Sequence, residues 1–276
     1  MRRLKQDMWA QNPDFLFGFN WGWSFGHQLS TLGDGLVPFD HEFRESMAGG
    51  GMFMQEAIKV FRYGPHSGEA YDLWSDYATN EEVAARGVHA SGGTYHYIYH
   101  LGSPIDRLYS LAIGTMCGAH PSYGAHAYSA GCPSWGRFLT RWSSLVWDPG
   151  LQPVGVGDVD VVPGGSLLWQ NWAKQRVVDA SSRQVIVHLL NPQVDDSIDV
   201  VDDLLPAPVS DVVVSVQVAA GETLTHAVLL DPWQGDLPTP LTTTPIAGGA
   251  QVTVPKVEVW SIVVFELSGS FTLPPP

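Results

Sequence analysis

Cysteine is scarce: the 276 residues include two, Cys117 and Cys132. Two thiols cannot build a disulfide framework, so stability must come from an apolar core. They read as free or buried thiols, with one bridge as the alternative. Charge is also sparse, at 15% of residues, and basic charge most of all: 14 Lys and Arg stand against 28 Asp and Glu, for a net charge of −14. Nucleic acid is excluded as a partner, because phosphate backbones are bound through clustered Lys and Arg. The one basic cluster is the short Arg2-Arg3-Lys5 start. No apolar run approaches the roughly 20 residues of a membrane span, so no membrane partner is expected. The opening MRRLKQDMWAQNPDF has no apolar centre of a secretion signal, and the chain as given reads as cytoplasmic.

Cofactor signals are equally thin. Gly49-Gly50-Gly51 lacks the lysine and serine of a phosphate loop. Asp195, Asp196, Asp199, Asp202 and Asp203 lack the ligand and glycine spacing of a calcium loop, and read as a solvated acidic turn. No cofactor and no metal are expected. What is abundant is glycine, at 29, and tryptophan, at 11, in a chain that is 45% apolar. That composition describes a globular protein with tight turns and aromatic-lined loops.

The texture changes near Trp147-Asp148-Pro149-Gly150. Before it, helix-like and strand-like stretches alternate. Helices are predicted over 2–10, from Thr79-Asn80-Glu81-Glu82 onward, over 104–116 and over 133–146; strands over 14–20, 51–55 and 93–100. Strands alternating with helices mean βα units around a parallel sheet. After it come Val-rich runs at 154–162, 184–190, 210–219, 224–230, 250–254 and 259–267, separated by Pro, Gly and Asp turns. Such spacing suits an antiparallel sandwich. The expected fold is therefore α/β followed by all-β: a partial, half-size (β/α)8-type barrel over 1–150, a β-sandwich over 151–270, and a tail over 271–276.

Three stretches, FLTRWSSLVWDPGL at 138–151, VIVHLLNP at 185–192 and VPKVEVWSIVVFEL at 254–267, resemble the second half of glycoside hydrolase family 66 proteins. That group holds dextranases and cycloisomaltooligosaccharide glucanotransferases. The resemblance implies a catalytic barrel followed by a sandwich, and two carboxylates flanking the scissile bond. If residues 14–20 correspond to a fifth barrel strand, the unit bearing the nucleophile lies upstream of Met1.

Carboxylates at the C-terminal ends of parallel strands are the expected catalytic groups. Glu56 closes the run 51–55 and suits a general acid/base; alternatively it opens a following helix, where the dipole favours an acid. Glu45, in HEFRES, is the second candidate, or a surface partner of Arg44 or Arg62. Asn20, Trp21 and Trp23 follow the first strand and can line a sugar site, or pack beneath the loop. His100, His120 and His126 can hydrogen-bond hydroxyls or move protons. His96 and His100, four apart on a strand, stand about 13 Å from each other and share no metal.

Gly22-Trp23-Ser24-Phe25-Gly26 also spells G-x-S-x-G, the nucleophile elbow of serine esterases, with Asp106 and His126 available downstream as partners. Ser24 stands four residues past the apolar strand, however, and an elbow needs the serine in the turn itself. The favoured reading is a glycoside hydrolase-like protein acting on or binding a neutral carbohydrate, its half-barrel completed in a homo-oligomer. A Ser24 esterase and a non-catalytic carbohydrate-binding or structural protein are the alternatives.

Overall fold

The computed structural model describes residues 2–12, 18–22, 51–56, 73–90, 92–98, 104–121, 135–192 and 205–271. Chain contacts divide it into two units. The first takes Met1–Ala127 with Ser197–Asp203, the second Tyr128–Asp196 with Leu204–Pro276. The division lies upstream of the composition change, so the helices after residue 133 belong to the Val-rich second unit.

In the first unit, helix α1 (Arg2–Gln11) precedes strands β1 (Gly18–Gly22) and β2 (Gly51–Glu56). Helix α2 (Trp74–Ala90), strand β3 (Gly93–Ile98), helix α3 (Pro104–Met116) and the two-residue strand β4 (His120–Pro121) follow. The four strands form one sheet in sequence order, and every pair is parallel. Helix α2 begins at Trp74, five residues before the Thr79 entrance read from cap-type residues. Packing explains the difference. Trp74 is fully buried, stacked on Tyr109 of α3 at 4.8 Å and edge-on to Tyr77 at 6.0 Å. Anchoring an aromatic in the core outweighs the few tenths of a kcal/mol that separate ordinary residues in helix propensity.

Helix α3 matches its predicted span and ends in a tight C-cap. Gly118 takes φ +85°, its N–H donates to Thr115 C=O, and Ala119 N–H donates to Gly114 C=O. A side chain at that φ is strained, which makes glycine the natural residue there. The turn delivers His120 directly into β4, where the sequence suggested a loop.

The second unit opens with helices α4 (Trp135–Arg141) and α5 (Ser144–Trp147), in place of the single helix predicted over 133–146. Ten strands follow: β5 (Gln152–Pro153), β6 (Val159–Val162), β7 (Ala173–Asp179), β8 (Ser182–Leu190), β9 (Val209–Gln217), β10 (Thr223–Leu230), β11 (Thr239–Leu241), β12 (Thr243–Ile246), β13 (Gly249–Val257) and β14 (Trp260–Ser268). They make a six-stranded sheet, β11-β10-β14-β8-β7-β5, and a four-stranded sheet, β12-β13-β9-β6, both antiparallel.

Alternating residues of the two sheets fill one core, among them Val185, Val187, Val212, Val214, Val254 and Phe265. The other face of the six-stranded sheet is buried as well: Ile186, His188, Leu190, Trp260 and Ile262 are all at most 1% exposed. Helix α4 lies over part of this face, with Trp135 at 5.3 Å and Phe138 at 5.7 Å from Trp260. Burial on both faces explains why β8 and β14 read as continuous apolar runs, without polar alternation. Arg176 of β7 ties the end of α5 to the sheet, donating to Ser144 C=O at 3.0 Å and to Asp148 at 2.7 Å.

Candidate functional site

Backbone register sets out the strand ends of the parallel sheet. Asn20 stands level with Met54, Met54 with His96, and His96 with His120. One row further along stand Trp21, Gln55, Tyr97 and Pro121; beyond that, Gly22, Glu56 and Ile98. Glu56 is thus the last residue of β2 and two positions beyond the level of the histidines, about 7 Å along the strand.

The two faces of β3 differ sharply. Tyr95 is fully buried, and its hydroxyl donates to Glu81 Oε2 of α2 at 2.6 Å. Burial pushes the Glu81 carboxyl up to about 8, against the opposing pull of that hydrogen bond. Glu81 is therefore largely uncharged at neutral pH, a locking contact between helix and strand. The opposite face carries Thr94, exposed, and His96, half-buried. Helices cover the tyrosine side, and the polar side is the one with accessible groups.

On that polar side the structure brings together two histidines that sequence spacing kept apart. The rings of His96 and His120 stack with centroids 5.2 Å apart and planes 25° from parallel. Thr94 Oγ1 donates to Gly51 C=O at 3.3 Å and lies 3.2 Å from His96 Nε2. A hydroxyl has one hydrogen; with it directed at Gly51, the oxygen accepts from His96, which puts the proton of neutral His96 on Nε2. Desolvation lowers the His96 pKa. His120 is pushed down to about 4, first by desolvation and then by the charges of His96 and of His89 on α2. Both rings are neutral at pH 7, able to hydrogen-bond without carrying charge.

His96 is the residue that the sequence reading missed. Its spacing to His100 was considered, and its pairing with His120 depends on parallel register, which a single sequence does not display. Of the other candidates, Asn20, Trp21 and Glu56 are located as backbone positions on β1 and β2. Asp106 lies in the first turn of α3. Trp23, Ser24, Glu45, His100 and His126 fall outside the described residues, as does Cys132; Cys117 is buried, its thiol directed at Ala78 C=O. Among the described residues no three His, Cys, Asp or Glu side chains gather to hold a metal ion, and no helix is long and apolar enough to cross a membrane.

The familiar C-terminal strings turn out to be structural. His188 is fully buried, its ring stacked on Trp260 at 5.8 Å with Nδ1 accepting from Trp260 Nε1 at 3.3 Å. Asn191 Nδ2 reaches the carbonyls of Ala207, Val257 and Glu258, stapling the exit of β8 to the β13–β14 turn.

No family model matches this chain. No curated protein matches it either. Among solved structures, it is similar to a cycloisomaltooligosaccharide glucanotransferase from Paenibacillus sp., with 18% identity and a TM-score of 0.45, over 59% of this chain and 27% of that one. It is also similar to a glycoside hydrolase family 30 subfamily 8 xylanase from Clostridium acetobutylicum, with 11% identity and a TM-score of 0.44, over 98% and 61%. A third is a family 51 α-L-arabinofuranosidase from Bifidobacterium longum, with 10% identity and a TM-score of 0.34, over 96% and 61%. These are distant likenesses, and the chain spans less than two thirds of the length of each.

Proposed function

We propose that this chain forms part of a carbohydrate site of the glycoside hydrolase kind, with Glu56 as general acid/base. One observation carries it: Glu56 ends β2 in register with Gly22 and Ile98, in a sheet whose strands are all parallel. Substrate sites of such sheets lie outside the carboxyl ends of the strands. Glu56 protonates the leaving glycosidic oxygen as the bond to the sugar breaks. Asn20 and the neutral His120 hydrogen-bond hydroxyls, and Trp21 and Trp23 stack on apolar sugar faces. Glu45 is the reserve carboxylate. The substrate is a neutral glycan, in keeping with uncharged imidazoles at the strand ends and an acidic chain.

Four strands make half of an eight-stranded barrel, and a second copy of the chain supplies the other half together with the opposing carboxylate. Among the described residues the outer edges of β1 and β4 carry no paired strand, and an open parallel sheet is exposed to aggregation.

The test is hydrolysis of aryl glycosides, isomaltotriose and short-chain aryl esters by wild type, Glu56→Gln and Ser24→Ala, with mass measured by light scattering. Glycoside turnover by a dimer, lost in Glu56→Gln and kept in Ser24→Ala, is the expected result. Ester turnover lost in Ser24→Ala overturns the proposal in favour of the serine elbow. Sugar binding with no turnover of any substrate removes the catalytic role of Glu56.

A further inference from the structure

Strand β4 pairs with β3 over a short register among the described residues. It is two residues long, its register consists of His96 with His120 and Tyr97 with Pro121, and proline has no N–H to give the ladder. Across this joint the two imidazoles stack, 5.2 Å between centroids. Residues directly opposite each other on neighbouring strands are where like charges do most damage. We infer that the stacked His96–His120 pair is an acid-sensitive joint, which holds β4 against β3 while both rings are neutral and releases it when they become cations.

The direction follows from the environment. Desolvation lowers both pKa values in the closed joint, and the His96 charge further opposes protonation of His120. Protons therefore bind the open joint more tightly than the closed one. The closed state is fully favoured above about 6.5, the ordinary histidine value, and loses ground as pH falls from there toward about 4. The charge of His89, on α2, opposes protonation of His120 as well. On β3, Thr94 contributes a neutral hydroxyl. On β2, Met54 stands level with the pair, and Glu56, two positions on, is the carboxylate-bearing position of that strand. Release of β4 stands on this geometry alone. Its consequence for function, that sugar binding at the strand ends weakens in acid, rests on the proposed carbohydrate site.

Hydrogen exchange read at His120, corrected for intrinsic rates, tests the joint between pH 7 and pH 4.5 on wild type, His120→Gln and His96→Gln. Within the window, each unit of separation between the open and closed pKa values multiplies the open population by about tenfold. Protection in wild type should fall by on the order of tenfold or more, and the acid-specific loss should shrink in either glutamine variant. Unchanged wild-type protection overturns the inference, as does an equal acid loss in the variants. Should neither variant fold, proton NMR of the wild-type imidazoles decides: both rings titrating below the ordinary value of about 6.5 uphold the joint, and either ring titrating at or above it overturns the inference. Tryptophan fluorescence with isomaltotriose is followed in parallel. Binding that weakens in acid in wild type, and weakens less in His96→Gln, extends the joint to function. Absence of binding at every pH, with the exchange pattern intact, leaves the joint standing and removes the carbohydrate reading.

Discussion

Histidines of similar sequence surroundings meet opposite fates in the two units. His96 lies in a run of strand-forming aromatics, and His188 in a run of aliphatic ones; both sit mid-strand, flanked by apolar neighbours. In the parallel sheet Tyr95 is buried against Glu81 of α2 on one face, while the other leaves His96 and His120 half-buried beside an exposed Thr94. In the six-stranded sheet both faces are covered, and His188 is sealed beneath Trp260. A sheet buried on one face keeps polar side chains available for chemistry. A sheet buried on both converts the same side chain into a packing element.

This contrast can be broken from either side. The largest effect is expected from Trp260→Ala, which empties a space contacted by Trp135, Phe138 and His188. A cost of roughly 3–5 kcal/mol is expected, a large part of the stability of a typical domain. Urea unfolding should show the second unit melting early, while near-ultraviolet signals of Trp74 and its partners in the first unit persist. Asn191→Ala removes one amide that serves three carbonyls and should cost about 2 kcal/mol, read by the same urea titration.

Smaller effects depend on pH, and those of His188 and Glu81 have opposite signs. Full burial holds His188 well below its ordinary value. The unfolded chain then binds the proton more readily, and the second unit should lose stability as pH falls below about 6.5, by up to about 1.4 kcal/mol per unit. Thermal melts of wild type and His188→Gln from pH 7.5 to 5 check this; the variant should show a flatter profile. Glu81 works the other way. Its raised pKa means the folded state holds the proton, so its contribution is fully present below about 4.5 and is lost as pH rises through about 8. Tyr95→Phe should cost about 1 kcal/mol at pH 5 and shift that loss to higher pH, because the hydroxyl that favours the charged carboxyl is gone. Unfolding of the first unit followed from pH 5 to 9 would show both.

The sandwich was legible where Val-rich runs are long. Strands β8, β9, β10 and β14 fall within two residues of their expected bounds, because every second residue enters one core. Strand β7, AKQRVVD, escaped notice, since its interior positions are only half-buried and carry Lys, Gln and Arg. The run at 154–162 promised nine residues of strand and gave four, with Val156 standing exposed in the turn before them. In the first unit, Glu56 could be named from its place after an apolar run. The pairing of His96 with His120 could not, because it comes from register between strands joined by a helix. The Trp260 motif was recognisable as a string, but that its aromatic ring rests on a histidine from β8 is a fact of three dimensions.

Strand order carries one more consequence. Strand β14 comes after β8 and β10 in the chain yet lies between them, paired with both along most of its length. A ribosome therefore delivers the outer parts of this sheet before the strand that joins them. Until residues 260–268 leave the exit tunnel, β8 and β10 each present a bare apolar edge, and the nascent chain depends on chaperones or on the speed of translation to keep those edges from pairing elsewhere. A strand made after both of its neighbours is the keystone of the sheet.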